Sequence, residues 1–216
     1  MREREDGPAR AAGVGLAASG LLLAAYFVLH PGDGDPAPAG IITTAPLYTA
    51  IHALGVVGLI AMLLGLVALY GRLAAGSARL ALAGFLLAFV GGASLLGVVY
   101  TDAFTFPVVA AHAPRVLDLS GPLYVSVPFL ISEGAPAAIW ALGLIVLAAA
   151  GLRSRQLPIP AAIVLIMAAV VVEVHGPLPV QQGGGVLLGI AFAWAGWVLW
   201  RRPVAERRPA VISRAM

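Results

Sequence analysis

The chain has 216 residues, of which 61% are hydrophobic and 11% charged, and a formal net charge of +3. Soluble domains run nearer half apolar and a quarter charged, so a soluble globular domain is excluded, and a mean hydropathy of +0.97 places most of the chain in lipid. There is no Cys, no Lys and no Asn, which removes disulfides, thiol nucleophiles, cysteine-ligated metal or haem, lysine Schiff bases and N-glycosylation.

A helical crossing of the hydrocarbon core needs about 20 apolar residues, and six segments meet that requirement. The predicted fold class is therefore all-α: a polytopic membrane bundle of six transmembrane helices in one domain, with a long outer loop between the third and fourth. The first span covers about 11–29. It reads as a retained anchor rather than a signal peptide. Ala37-Pro38-Ala39 has the small-x-small pattern of a cleavage site, but Glu3, Glu5 and Asp6 dilute the basic flank that such peptides carry.

The second span, about 47–70, places Gly55, Gly58, Met62 and Gly65 on one stripe and His52 about one turn in. Near a helix N-terminus the dipole favours a neutral imidazole, which accepts a hydrogen bond or binds metal. The third, about 80–100, repeats small residues at Gly84, Ala88 and Gly92. Small faces let backbones approach closely, which is how helices associate in lipid. The stretch 101–132 is long for a connection, half apolar and punctuated by Pro107, Pro114, Pro122 and Pro128. Short helices lying on the outer surface, as a lid, are expected there.

The fourth span, about 133–152, opens on Ser132-Glu133 with Pro136 close behind. That reads as a helix start, with Ser as cap and an acid in the first turn. The fifth, about 158–174, ends in Ala-Ala-Val-Val-Val-Glu-Val. Its Glu173 sits where the dipole disfavours a carboxylate, and ionisable groups in a span are functional candidates by default. His175 follows. The sixth, about 185–200, carries Gly185, Gly189 and Ala193, with Gly183-Gly184-Gly185 as a flexible entry.

Charge orders these spans. With the N-terminus inside, the inner segments hold twelve of the thirteen arginines, and only Arg115 lies outside. This asymmetry predicts both termini in the cytoplasm and a plasma (inner) membrane location. It also accounts for the basic excess without a nucleic-acid partner. All four histidines, and Asp33, Asp35, Asp102, Asp118, Glu133 and Glu173, fall on the outer side, so His52, Glu133, Glu173 and His175 are the candidate ligand-binding residues. No catalytic residue is assigned. The identity of any metal or cofactor stays open, since no pair of ligand-type residues has helical metal-site spacing.

The stretches HALGVVGLIAMLLGLVALY (His52 to Tyr70) and TDAFTFPVVAAHAP (Thr101 to Pro114) resemble small six-span integral membrane proteins of high-GC bacteria, a group without an assigned function. The all-Arg basic complement is in keeping with such a genome. The resemblance implies the topology and no activity. The leading expectation is binding or transport of a small or lipidic molecule at the outer half. The alternatives are a non-catalytic accessory subunit of a membrane complex, or a haem or metal redox protein with His ligands. A membrane hydrolase ranks last, for want of a GxSxG or HExxH motif. The small-residue face of the sixth helix is expected to pack within the chain, with a seam to a second copy as the alternative, and the expected partners are the bilayer and either a second copy or other membrane-complex subunits.

Overall fold

The computed structural model describes residues 2–31, 40–42, 45–118, 120–173 and 178–201; the side chains of residues 2–9 and of Glu133 lie outside that description. The described residues form α1 (Arg2–Leu29), α2 (Tyr48–Phe104), α3 (Phe106–His112), a 3-10 turn (Pro114–Leu117), α4 (Val127–Arg153), α5 (Ile159–Val171) and α6 (Leu178–Arg201), with no strand among them. The Ala37-Pro38-Ala39 motif falls outside the described residues.

The second and third predicted spans are one helical segment by hydrogen bonding. Ser77 alone departs from helical angles, at φ −152° and ψ 58°. The chain doubles back there, because a Cβ at Gly55 would meet Val99 and one at Gly92 would meet Met62. Residues 48–76 and 78–104 are therefore antiparallel limbs, and the connecting loop expected from the arginine-bearing segment shrinks to an elbow. Gly76 lets that elbow approach the end of α4, where a Cβ would come within 2.7 Å of Ser154 Cβ.

Four helices are long and apolar enough to cross a membrane: residues 10–29 of α1, the α2–α3 stretch 48–112, α4 and α6. The fifth predicted span is shorter than expected. Helix α5 has 13 residues, about 20 Å at 1.5 Å per residue, against a hydrocarbon core of about 30 Å. The sixth is longer. It begins at Leu178, so Gly183, Gly184 and Gly185 lie within the helix and are not a flexible entry.

Small residues carry the interfaces, as close packing must where lipid supplies no hydrophobic drive between helices. Helices α1 and α6 run antiparallel with backbones nearly touching: a Cβ at Gly20 would stand 2.6 Å from Gly189 O, and one at Gly185 would fall on Phe27. The Gly185–Gly189 face is thus covered by α1 within the chain, not left as a seam for a second copy. The Gly55, Gly58 and Gly65 stripe receives Tyr26, Leu23 and Leu16 of α1, and Gly84 and Gly143 close the contact between the second limb of α2 and α4. Around the outside, Leu21, Leu64, Leu86, Ile163, Met167 and Ile190 are exposed. They form an apolar coat that includes the short α5.

These packings bring alternate helix ends together. One end gathers Arg10, the elbow with Arg79, the α4–α5 connection with Arg153 and Arg155, and Arg201. The opposite end gathers the C-terminus of α1, the start and finish of α2, the start of α4, Glu173 and the start of α6. Beside this second end Ile42, Phe106, Ala110 and Leu117 make a small separate core, so the stretch 101–132 packs through its own apolar residues onto Ile42 and Tyr48.

Candidate functional site

The start of α4 differs from the expected cap. Ser126 is the N-cap, accepting from Phe129 N at 3.3 Å, and Pro128 lies in the first turn. Ser132 instead donates to Phe129 O at 2.8 Å. Glu133 is a turn and a half inside the helix, without the first-turn dipole contact predicted for it. The signal for the true start was Ser126-Val127-Pro128, which has the Ser-cap and early-Pro pattern that was credited to Ser132.

A cavity of about 240 Å³ opens at the acidic end between α1, α2, α4, α6 and the residues after α5. Its apolar walls are Leu23, Phe27, Leu59, Leu95, Val99 and Leu188, and its polar groups are Tyr26, His30, Asp102, Trp140, Glu173 and Gln181. Two walls are single helical faces at i, i+3, i+4, i+7 spacing: Leu23, Tyr26, Phe27 and His30 on α1, and Leu95, Val98, Val99 and Asp102 on α2. Each face ends in an ionisable residue at its last turn. Ala137 and Trp140 supply the α4 wall, with Glu133 one turn before Ala137 in register.

His52 does not line this cavity. It is 1% exposed and stands behind the wall. Its ring lies 5.0 Å from that of His30, 5.5 Å from Tyr26 and 4.1 Å from Tyr48, centroid to centroid. Its Nδ1 is 2.9 Å from Tyr48 O. A carbonyl only accepts, so Nδ1 donates this bond. His52 thereby fixes the Tyr26–His30 face from behind. Tyr26 is 8% exposed and belongs to this cluster.

Glu173 does line the cavity, from a turn just past the last residue of α5 rather than from within the helix. His175 lies outside the described residues. Sequence reasoning passed over Asp102, Trp140 and Gln181 as site residues and considered His30 only as one of the histidines that could ligate a haem. The i, i+3, i+4, i+7 faces running into His30 and Asp102 were the available signal; nothing local marked Trp140 or Gln181.

Trp140 is 3% exposed, and its Nε1–H has no hydrogen-bond partner among the described residues. A buried donor without an acceptor costs about 1–3 kcal/mol. Gln182 Nε2 donates to Val28 O at 3.0 Å. This satisfies one of the orphan carbonyls at the end of α1 and ties α6 to that wall.

Direct ring packing between His30 and His52 does not suit opposed axial ligation, which places a macrocycle between two imidazoles. Among the described residues no group of three or more His, Cys, Asp or Glu is placed to hold a metal ion. The chain matches no family model, and no curated protein or solved structure aligns with it.

Proposed function

We propose that this chain is a six-pass protein of the plasma membrane, both termini cytoplasmic, that binds a small or lipidic molecule in the cavity at its acidic end. The six passes follow from counting the two α2 limbs separately and from the exposed apolar residues of α5, among them Ile163 and Met167. The orientation follows from the arginine end, which belongs on the cytoplasmic side.

The observation that carries the binding reading is the cavity itself. It sets carboxylates and a histidine beside a buried, unpartnered indole N–H within a mostly apolar bundle. Polar groups at membrane depth are expensive, and where they converge on a cavity they mark a ligand path. The fitting ligand is amphipathic. It presents an acceptor to Trp140 and a donor to the carboxylates of Asp102 or Glu173, and rests its apolar part on Phe27 and Leu188.

Native mass spectrometry of protein extracted gently from its own membranes tests this. A retained extra mass is expected on the wild type, and at least tenfold less of it on Glu173→Gln. Wild-type protein that carries no bound mass at any extraction strength, or a Glu173→Gln variant that retains the mass fully, overturns the siting.

A further inference from the structure

The arginine end carries a second recess, of about 350 Å³, between the α4–α5 connection and α6. Its walls are Arg155, Gln156 and Leu157 from the connection and Trp194, Trp197 and Arg201 from α6. The Arg201 guanidinium carbon lies 4.0 Å over the Trp197 ring. That is within cation–π range and holds the head of a long side chain at the mouth. Both arginines are exposed, and Trp197 is 43% exposed. The three carboxylates with described side chains, Asp102, Asp118 and Glu173, all belong to the opposite end.

The backbone at Arg155 singles this recess out. Gln156 N donates to Gly151 O at 3.0 Å and Arg155 N to Leu152 O at 3.1 Å. These are the two bonds of a Schellman cap, with Arg155 at the position that takes the left-handed conformation. Its φ is 54°. Glycine ordinarily fills that position because it has no Cβ to clash. Here the conformational cost is accepted and a guanidinium is delivered to the recess. Strain of this kind points to a use for the side chain.

We infer that Arg155 and Arg201 bind the phosphate of an anionic phospholipid headgroup, with Trp194 and Trp197 alongside its glycerol and upper acyl chains. Guanidinium groups donate paired hydrogen bonds to phosphate oxygens. Indoles favour the headgroup level, and basic recesses between helices on this side take anionic headgroups. The shared chemistry is a phosphate anion. The apolar half of the recess, with Leu157, Pro158 and Val198, favours the lipid over free phosphate. This site is independent of the cavity at the acidic end.

The test is native mass spectrometry of the full chain, stripped of lipid and reloaded with phosphatidylglycerol or phosphatidylcholine, with thermal unfolding read in parallel. The wild type is expected to retain phosphatidylglycerol at least tenfold more than phosphatidylcholine. Arg155→Gln/Arg201→Gln should lose that preference, and Glu173→Gln should keep it. Arg155→Gly should lose the lipid without a fall in melting temperature, which a merely structural Arg155 would not allow. Millimolar inorganic phosphate should leave the bound lipid in place. Equal retention of the two lipids by the wild type, or undiminished preference in the double variant, overturns the inference. Protection by inorganic phosphate with none from phosphatidylglycerol overturns the lipid as source.

Discussion

The cavity at the acidic end and the recess at the arginine end treat polar side chains in opposite ways. At the acidic end they are withdrawn: His52 is 1% exposed, Trp140 3% and Tyr26 8%; His52 packs on Tyr26 and bonds the backbone, while the Trp140 N–H has no partner among the described residues. At the arginine end the guanidiniums of Arg155 and Arg201 stand exposed beside half-exposed indoles. Polar groups in a low-dielectric interior are worth most when satisfied and cost most when they are not. On the proposed reading, a ligand completes the acidic end by supplying the acceptor that Trp140 lacks. At the arginine recess Arg155 and Arg201 stand exposed, although Arg72 near the elbow is only 5% exposed.

Both ends rest on one scaffold of close backbone contacts, and the largest effect comes from breaking it. A Cβ at Gly143 would fall on the Ala88 backbone. Gly143→Leu should destabilise the fold by about 3 kcal/mol or more, abolishing ligand retention at both ends together. At Gly97 nothing lies within 4 Å of an added Cβ, and Gly97→Leu should stay within about 0.5 kcal/mol of wild type. Thermal unfolding of the two variants in the same detergent checks the pair. Equal behaviour would mean that the glycine contacts do not hold the bundle.

A smaller change separates the ends. Trp140→Phe removes the buried N–H while keeping most of the ring. Stability should hold or rise slightly, since a donor without an acceptor is gone. Affinity for the cavity ligand should fall by about 1–1.5 kcal/mol, roughly tenfold. Ligand titration against melting temperature reads both signs at once, and a loss of stability with unchanged affinity would make Trp140 a packing residue only.

The smallest expected effect is the one that most sharpens the contrast. The Debye length falls from about 10 Å at 0.1 M salt to about 3 Å at 1 M. Retention of anionic lipid at the exposed arginine recess should weaken severalfold over that range, whereas occupancy of the enclosed cavity should change little. Mass spectra collected after washing at the two salt concentrations measure both sites in one sample.

Much of this architecture is legible in the residues. Apolar run lengths mark the helices, the arginines sort the two ends, and the small-residue stripes at Gly55–Gly58–Gly65 and Gly84–Ala88 mark faces that pack. Local readings failed where a local pattern had two candidates. Ser126-Val127-Pro128 and Ser132-Glu133 both look like a helix start, and only the run of backbone hydrogen bonds chooses. The triple glycine at 183–185 reads as a break because glycine is a poor helix former. It is helical all the same: Gly184 and Gly185 lie where Val172 and Phe27 come too close for a Cβ, while Gly183 faces open space.

Sequence by itself determined an all-helical membrane chain with chemistry weighted toward one end, because hydropathy and charge act residue by residue and need no partner. Tertiary structure decided which polar residues meet. Tyr26, Asp102, Trp140 and Glu173 are far apart in the chain, and their convergence depends on which helix faces which. It decided equally that Gly185 and Gly189 pack on α1, and that Arg155 takes the left-handed place at the end of α4. In each case the determinant is a close approach between backbones distant in sequence, and no local run of residues encodes that by itself.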